Sequence, residues 1–184
     1  MLHYDYTVRL EAIWSAAKLR YENGERSVDD YFTRPELNEL ASIGLNAMDV
    51  YDFVEDFCSR GEPDFGTFLA INAVRRDYFL EFQKGVLSPY SIDPKDLPAK
   101  EDSLEGILWL PRILPKAAAK LRGELPAKIM YGCGGDRRFF KANNVHPADF
   151  LRAVWRYDSD QSSLVLWLKA RREKLPIKIN TQSS

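Results

Sequence analysis

The stretch DFGTFLAINAVRRDYFLEFQKG, residues 64–85, constrains the fold of this chain more than any other. Ile71, Val74, Tyr78 and Phe82 recur at three- and four-residue intervals, the spacing of one helix stripe, and Phe68, Leu69 and Phe79 widen that stripe past an ordinary amphipathic face. A helix apolar over so much of its circumference needs neighbours on several sides, so it is predicted to be central. Its middle carries Arg75, Arg76 and Asp77. With Glu55 and Asp56 of the preceding helix, these are expected to form a partly buried ion network or rim salt bridges; alternatively, Arg75 or Arg76 points into a cavity and holds a carboxylate or phosphate.

The segments before it supply such neighbours. Tyr6, Leu10, Ile13, Trp14, Ala17 and Tyr21 lie on one helical stripe that ends near Asn23 and Gly24. Pro35 suits the first turn of a short helix carrying Leu37, Leu40 and Ala41, and Gly44 can take the left-handed conformation that stops it. Asn46 is expected to cap a third helix over residues 47–59, burying Val50, Val54, Phe57 and Cys58 with Phe53 beside them, and Gly61 to end it. Residues 85–103 hold Pro89, Pro94 and Pro98 among Lys, Asp and Ser and read as an extended connection.

In the second half, Pro115 inside LPRILPKAAAKLRG predicts a turn over 111–114 and a regular helix from Pro115 onward. Lys116 and Lys120 then share a face, expected to be cationic and solvated. Residues 127–131 are short and apolar with no helical stripe, and are expected to be extended. Asp136 is expected to cap a short helix over 137–142, and His146 to lead into a helix with Pro147 at its first position and Phe150, Leu151, Val154 and Trp155 buried. A last helix over 161–173 buries Leu164, Trp167 and Leu168, and the polar residues 176–184 read as a loose tail. The expected architecture is therefore all-α, a compact domain of seven to eight helices in two interlocked halves. These are residues 1–84 and 104–175, joined by 85–103.

Composition narrows the function. Lys plus Arg number 26 against 27 Asp plus Glu, so a net charge of -1 gives no general attraction to nucleic acid or anionic lipid, and neither is expected as a partner. No apolar run of transmembrane length and no signal peptide is evident, and the chain has only two cysteines; a reduced, cytoplasmic compartment is the expectation. No cofactor fingerprint is present. Cys58, Cys133, His3 and His146 are not spaced to share one loop or helix turn, so no metal site is expected.

The chemistry concentrates in IMYGCGGDRRFFKANNVHPADF, residues 129–150, which holds one of the two cysteines, one of the two histidines and the only Gly-Gly pair. One reading is a small anion site where the CGGD turn meets the basic helix. Backbone N–H groups of Gly134 and Gly135 would be joined by Arg112, Lys116, Cys133 and Arg137, with Arg75 and Arg76 reaching the same cavity. Against it, the Asp136 carboxylate competes for those donors, and the glycines serve equally well as a sharp turn. A second reading makes Cys133 a nucleophile, His146 its base and Asp136 the orienting group, a chemically complete trio, although His146 before Pro147 is as readily a cap. A third is a non-enzymatic module that binds a partner chain or a second copy of itself.

The second half also resembles a family of uncharacterised bacterial proteins known only as a domain of unknown function. The likeness rests on LPRILPKAAAKLRGE, on YGCGGDRRFFKANNVHPADFLRAVW and on the Trp-containing helix near the C-terminus. Helical segments like VYDFVEDFCSRGEPDFGTFLAINAVRRDYF extend it over most of residues 4–172. Pro115 departs from the family, in which a polar residue is expected. The resemblance implies no particular activity.

Overall fold

The computed structural model describes residues 3–158 and 160–173. Among these, eight α-helices follow one another: α1 (Tyr6–Glu22), α2 (Arg34–Ser42), α3 (Met48–Arg60), α4 (Phe65–Asp77), α5 (Leu110–Arg122), α6 (Gly134–Ala142), α7 (Pro147–Tyr157) and α8 (Gln161–Arg172). The all-α architecture anticipated from the stripes is the one found. The expected tail, residues 176–184, lies outside the described residues.

The helix ends follow their local chemistry. Thr33 and Glu36 form a reciprocal capping box at the start of α2, with Pro35 in its first turn. Asn46 and Asp49 exchange side-chain-to-backbone hydrogen bonds at the start of α3, so Asn46 does cap it. Gly61 stops α3 at φ 76°, and at Gly44 the left-handed turn also leaves room for Phe79, because a Cβ there would meet that ring at 2.5 Å.

α4 is central, as its broad stripe requires. It packs on α1, α5 and α7 and buries Phe68, Ile71 and Val74 completely or nearly so. Its last turn, Tyr78–Phe82, widens to a π-turn, and the added residue per turn rotates the stripe out of phase. Phe82, expected in the core, is therefore 65% exposed and stacks on Tyr78 at 4.8 Å. Trp14 of α1 meets Phe57, Phe65 and Phe68, and Tyr131, Phe139, Phe140 and Phe150 form a second ring cluster in the other half. One contiguous apolar core contains both sets.

Residues 85–103 run over the surface of this core. Ile92 N–H donates to the Glu124 carbonyl, Arg112 donates to the Pro98 carbonyl and Leu97 is buried. A two-stranded hairpin follows, β1 (Ser103–Leu104) against β2 (Ile107–Leu108). Its turn residues Glu105 and Gly106 both have positive φ, the geometry that matches the twist of a two-residue hairpin.

Five local expectations are corrected. α5 starts at Leu110, not at Pro115. Trp109, at φ 71°, turns the chain sharply, and its carbonyl accepts from both Arg112 and Ile113. Pro115 then denies an N–H donor to the Pro111 carbonyl in the first turn, a loss offset by the buried stripe Leu110, Ile113 and Ala117. Lys116 and Lys120 are not on a solvated face; both are buried.

The ion network expected between α3 and α4 does not form, because Asp56 turns to Arg137 of α6 and Arg60 of its own helix. Arg76 pairs with Asp77 and lies over Tyr6, while Arg75 donates to Gln83. Residues 127–131 form turns and no strand. Finally, α6 begins at Gly134 with Cys133 in the N-cap position, so Asp136 lies inside the first turn and is not the cap.

Candidate functional site

The Asp136 carboxylate is fully buried and is held by three donors. Trp109 Nε1 reaches Oδ1 at 3.0 Å, while Gly132 N–H at 2.9 Å and Lys116 Nζ at 2.5 Å reach Oδ2. Lys116 Nζ also stands 3.5 Å from Cys133 Sγ. One turn further along α5, Lys120 Nζ donates to Asp49 Oδ1 at 2.6 Å and to Asn72 Oδ1 at 2.8 Å. Two buried lysines thus tie α5 to α6 on one side and to α3 and α4 on the other. Beside the second pair, burial together with the neighbouring charges of Asp49 and Glu55 pushes the Asp52 carboxyl up to about 7.

These bonds dispose of the groups that sequence alone had joined. Asp136 is engaged by Trp109, Lys116 and Gly132 rather than by His146. His146 caps α7, its Nδ1 accepting from Ala148 N–H at 3.2 Å. Cys133 faces Lys116. The cationic candidates are equally dispersed: Arg75 is buried against Gln83 and the ring of Phe79, Arg76 lies over Tyr6, and Arg112 donates to Pro98 near Trp109. Burial lowers the Arg75 guanidinium to about 10. Gly134 and Gly135 occupy the first turn of α6, and Gly135 is pressed by Trp109: a Cβ there would meet the indole at 2.4 Å.

Of those candidates Arg137 and His146 line a cleft of about 620 Å³ among the described residues. One wall is the turn Gly61, Glu62 and Pro63 with Asp64, Thr67 and Ile71 at the start of α4. The other is Gly132, Arg137, Phe140 and Lys141, continued by residues 144–147. Arg137 is nine-tenths buried, and its Nη1 donates to Asp56 Oδ2 at 2.6 Å and to the Gly132 carbonyl at 2.9 Å. Its Nε is buried and lies 3.3 Å from Glu62 Oε1, yet without the alignment of a hydrogen bond.

Glu62 in turn accepts from Lys141 Nζ at 2.7 Å, and that bond holds its carboxyl below the usual carboxylate range. Asp64 is also held low, chiefly by the Thr67 N–H it accepts as cap of α4. With His146 Nδ1 accepting, the neutral ring carries its proton on Nε2. The cleft therefore combines donors on Arg137, Lys141 and His146 with an apolar lining of Ile71, Phe140, Val145 and Pro147. Its volume lies in the range of small-molecule sites.

A second groove, about 350 Å³, lies between β2, Trp109 and α6, with Arg138 and Arg172 exposed beside it. Among the described residues no three His, Cys, Asp or Glu side chains gather as a metal-ligand set, and no helix is long and apolar enough to cross a membrane.

Sequence reasoning had not named Glu62, Asp64, Thr67, Lys141 or Asn144 for the cleft. Glu62 and Lys141 are 79 residues apart in the chain, and neither lies in a recognisable motif. Only the glycine stop at Gly61 and the CGGD segment mark the two turns that tertiary packing brings face to face.

Fold and site together define a helical protein whose two halves share one core and meet at a cleft lined by both charged and apolar side chains. Residues 95–181 match the family described as a domain of unknown function, DUF5069. The resemblance read in LPRILPKAAAKLRGE and YGCGGDRRFF is thereby shown for the second half; α3 and α4 lie outside the match. Neither the curated proteins nor the solved structures compared with the chain gave a match.

Proposed function

We propose that this protein binds a small anionic molecule in the cleft between the Gly61–Asp64 turn and α6. The observation that carries the reading is Arg137, a nine-tenths buried guanidinium lining the cleft with a buried Nε that has no hydrogen-bond partner. A buried N–H without an acceptor is costly, so an anion that aligns with it gains more than it would from an already satisfied donor. Lys141 and His146 add donors at the rim. The thiols, Cys58 in α3 and Cys133 before α6, are both free, in keeping with a reducing cytoplasm of a bacterial cell.

The test is a titration of the full chain with phosphate and with short carboxylates, followed by thermal unfolding and by amide NMR. An anion at 100 times its dissociation constant stabilises by about 2.7 kcal/mol, and the shifted amides are expected at Gly132, Arg137, Lys141 and His146. If no anion moves either the transition or these amides, the reading fails.

A second reading, a protein-interaction or self-associating module, draws on a different observation. Phe82, Val86, Leu87 and Tyr90 are all at least half exposed on one short segment after α4. Light scattering that finds only a monomer, with no partner recovered, counts against it.

A further inference from the structure

We infer that Glu62 is a displaceable stand-in for the ligand, and that the molecule the cleft receives is a small carboxylic acid with an apolar body. The inference rests on the anion reading of the cleft and specifies it. The Glu62 carboxylate sits between Arg137 Nε, at 3.3 Å, and Lys141 Nζ, at 2.7 Å. Two cations a single carboxylate apart are a carboxylate clamp, and the chain's own side chain fills it.

The two sides of the clamp differ. Arg137 is held in place by Asp56 and the Gly132 carbonyl, whereas the side chains of Glu62 and Lys141 are 44% and 66% exposed. Glu62 is thus the removable partner: it leaves toward water, where its charge is solvated, and an exposed ion pair is a weak one. Arg137 stays, already fixed by its other bonds, and its poorly aligned Nε improves its geometry when a better-placed oxygen arrives.

The charge around the clamp selects the ligand. Asp56 and Asp64 flank Arg137 and the opposite wall, so a dianion such as phosphate brings its additional charge against two carboxylates. A monocarboxylate replaces Glu62 charge for charge. Ile71, Phe140, Val145 and Pro147 then offer an apolar surface to the rest of the molecule, which a bare anion leaves unused.

The experiment is calorimetric titration of the full chain and of its Glu62→Gln variant with benzoate, butyrate and inorganic phosphate. Benzoate is expected to bind the variant roughly threefold to tenfold more tightly than the wild-type protein, the equivalent of a surface ion pair of about 1 kcal/mol that no longer competes. Benzoate is expected to outbind phosphate on both. Binding to neither protein by any of the three anions removes the anion reading and the inference together. Equal benzoate affinities leave the anion reading standing and overturn the stand-in, and a preference for phosphate overturns the carboxylate class.

A measurement on the wild-type protein guards against a variant that folds poorly. The side-chain carboxyl resonance of Glu62 is expected to move toward that of a free glutamate as benzoate is added. A resonance that stays in place while benzoate binds overturns the displacement.

Discussion

Lys116 and Asp136 show how much a single pair of side chains decides here. Both are buried, at 3% and 0% exposure, and the carboxylate serves Trp109, Gly132 and the lysine at once. Removing one partner of a buried pair leaves an uncompensated charge, whereas replacing both is often close to neutral. Lys116→Met is therefore expected to destabilise the protein by about 3–5 kcal/mol, read from urea unfolding. The double variant Lys116→Met, Asp136→Asn is expected to recover part of that loss, since it removes the uncompensated charge while the asparagine oxygen accepts from only one of Trp109 and Gly132. Additive losses in the double variant would show that the two side chains act independently. Nothing local in the sequence announces this pair: an i, i+4 pair of lysines looks the same whether water or an aspartate lies opposite. Asp49, the partner of Lys120, is 71 residues away.

At the level of elements, the stripes and stops of α1 to α4 are legible because their signals are local: periodic apolar residues, a capping box, Gly44 and Gly61. The start of α5 and the start of α6 are misread for one shared reason. Trp109 sits at φ 71° ahead of α5, and its indole reaches Asp136 and lies against Gly135. The two helix starts are therefore built on each other, and neither pattern is complete alone. The Gly-Gly pair separates into two roles. At Gly134 the closest atoms to an added Cβ are 3.8 Å away, but at Gly135 they are the Trp109 ring at 2.4 Å. Gly134→Ala is expected to be neutral or slightly stabilising. Gly135→Ala is expected to cost about 1–3 kcal/mol by overpacking, with the indole displaced from Asp136. Thermal unfolding of the two variants side by side distinguishes this from a simple flexible turn, in which both substitutions would cost the same. The cleft was only partly legible on the same grounds: Arg137 stands in the conspicuous segment, while Glu62 and Lys141 become a clamp only when α6 packs against the turn after α3.

For the whole molecule, the match to residues 95–181 divides a chain that its core does not divide. α7 packs on α4 as well as on α5, and a Cβ at Gly132 would lie against Phe53 and Ile71 of the first half. Both acceptors of Lys120, Asp49 and Asn72, belong to α3 and α4, as does Asp56, which holds Arg137. A fragment of residues 95–184 thus exposes one side of its ring cluster and strands a buried lysine, each a large cost against the marginal stability of a small domain. It is expected to keep part of its helical circular dichroism yet to unfold in urea over a broad range, without the cooperative transition of the full chain. Adding residues 1–94 as a separate chain is expected to restore the sharp transition, because the missing contacts are side-chain packing and ion pairs that need no covalent link. A fragment that unfolds cooperatively by itself would make residues 95–181 an autonomous domain. The cleft, one wall of which is residues 61–71, would then be an addition to that domain and not part of what its relatives share.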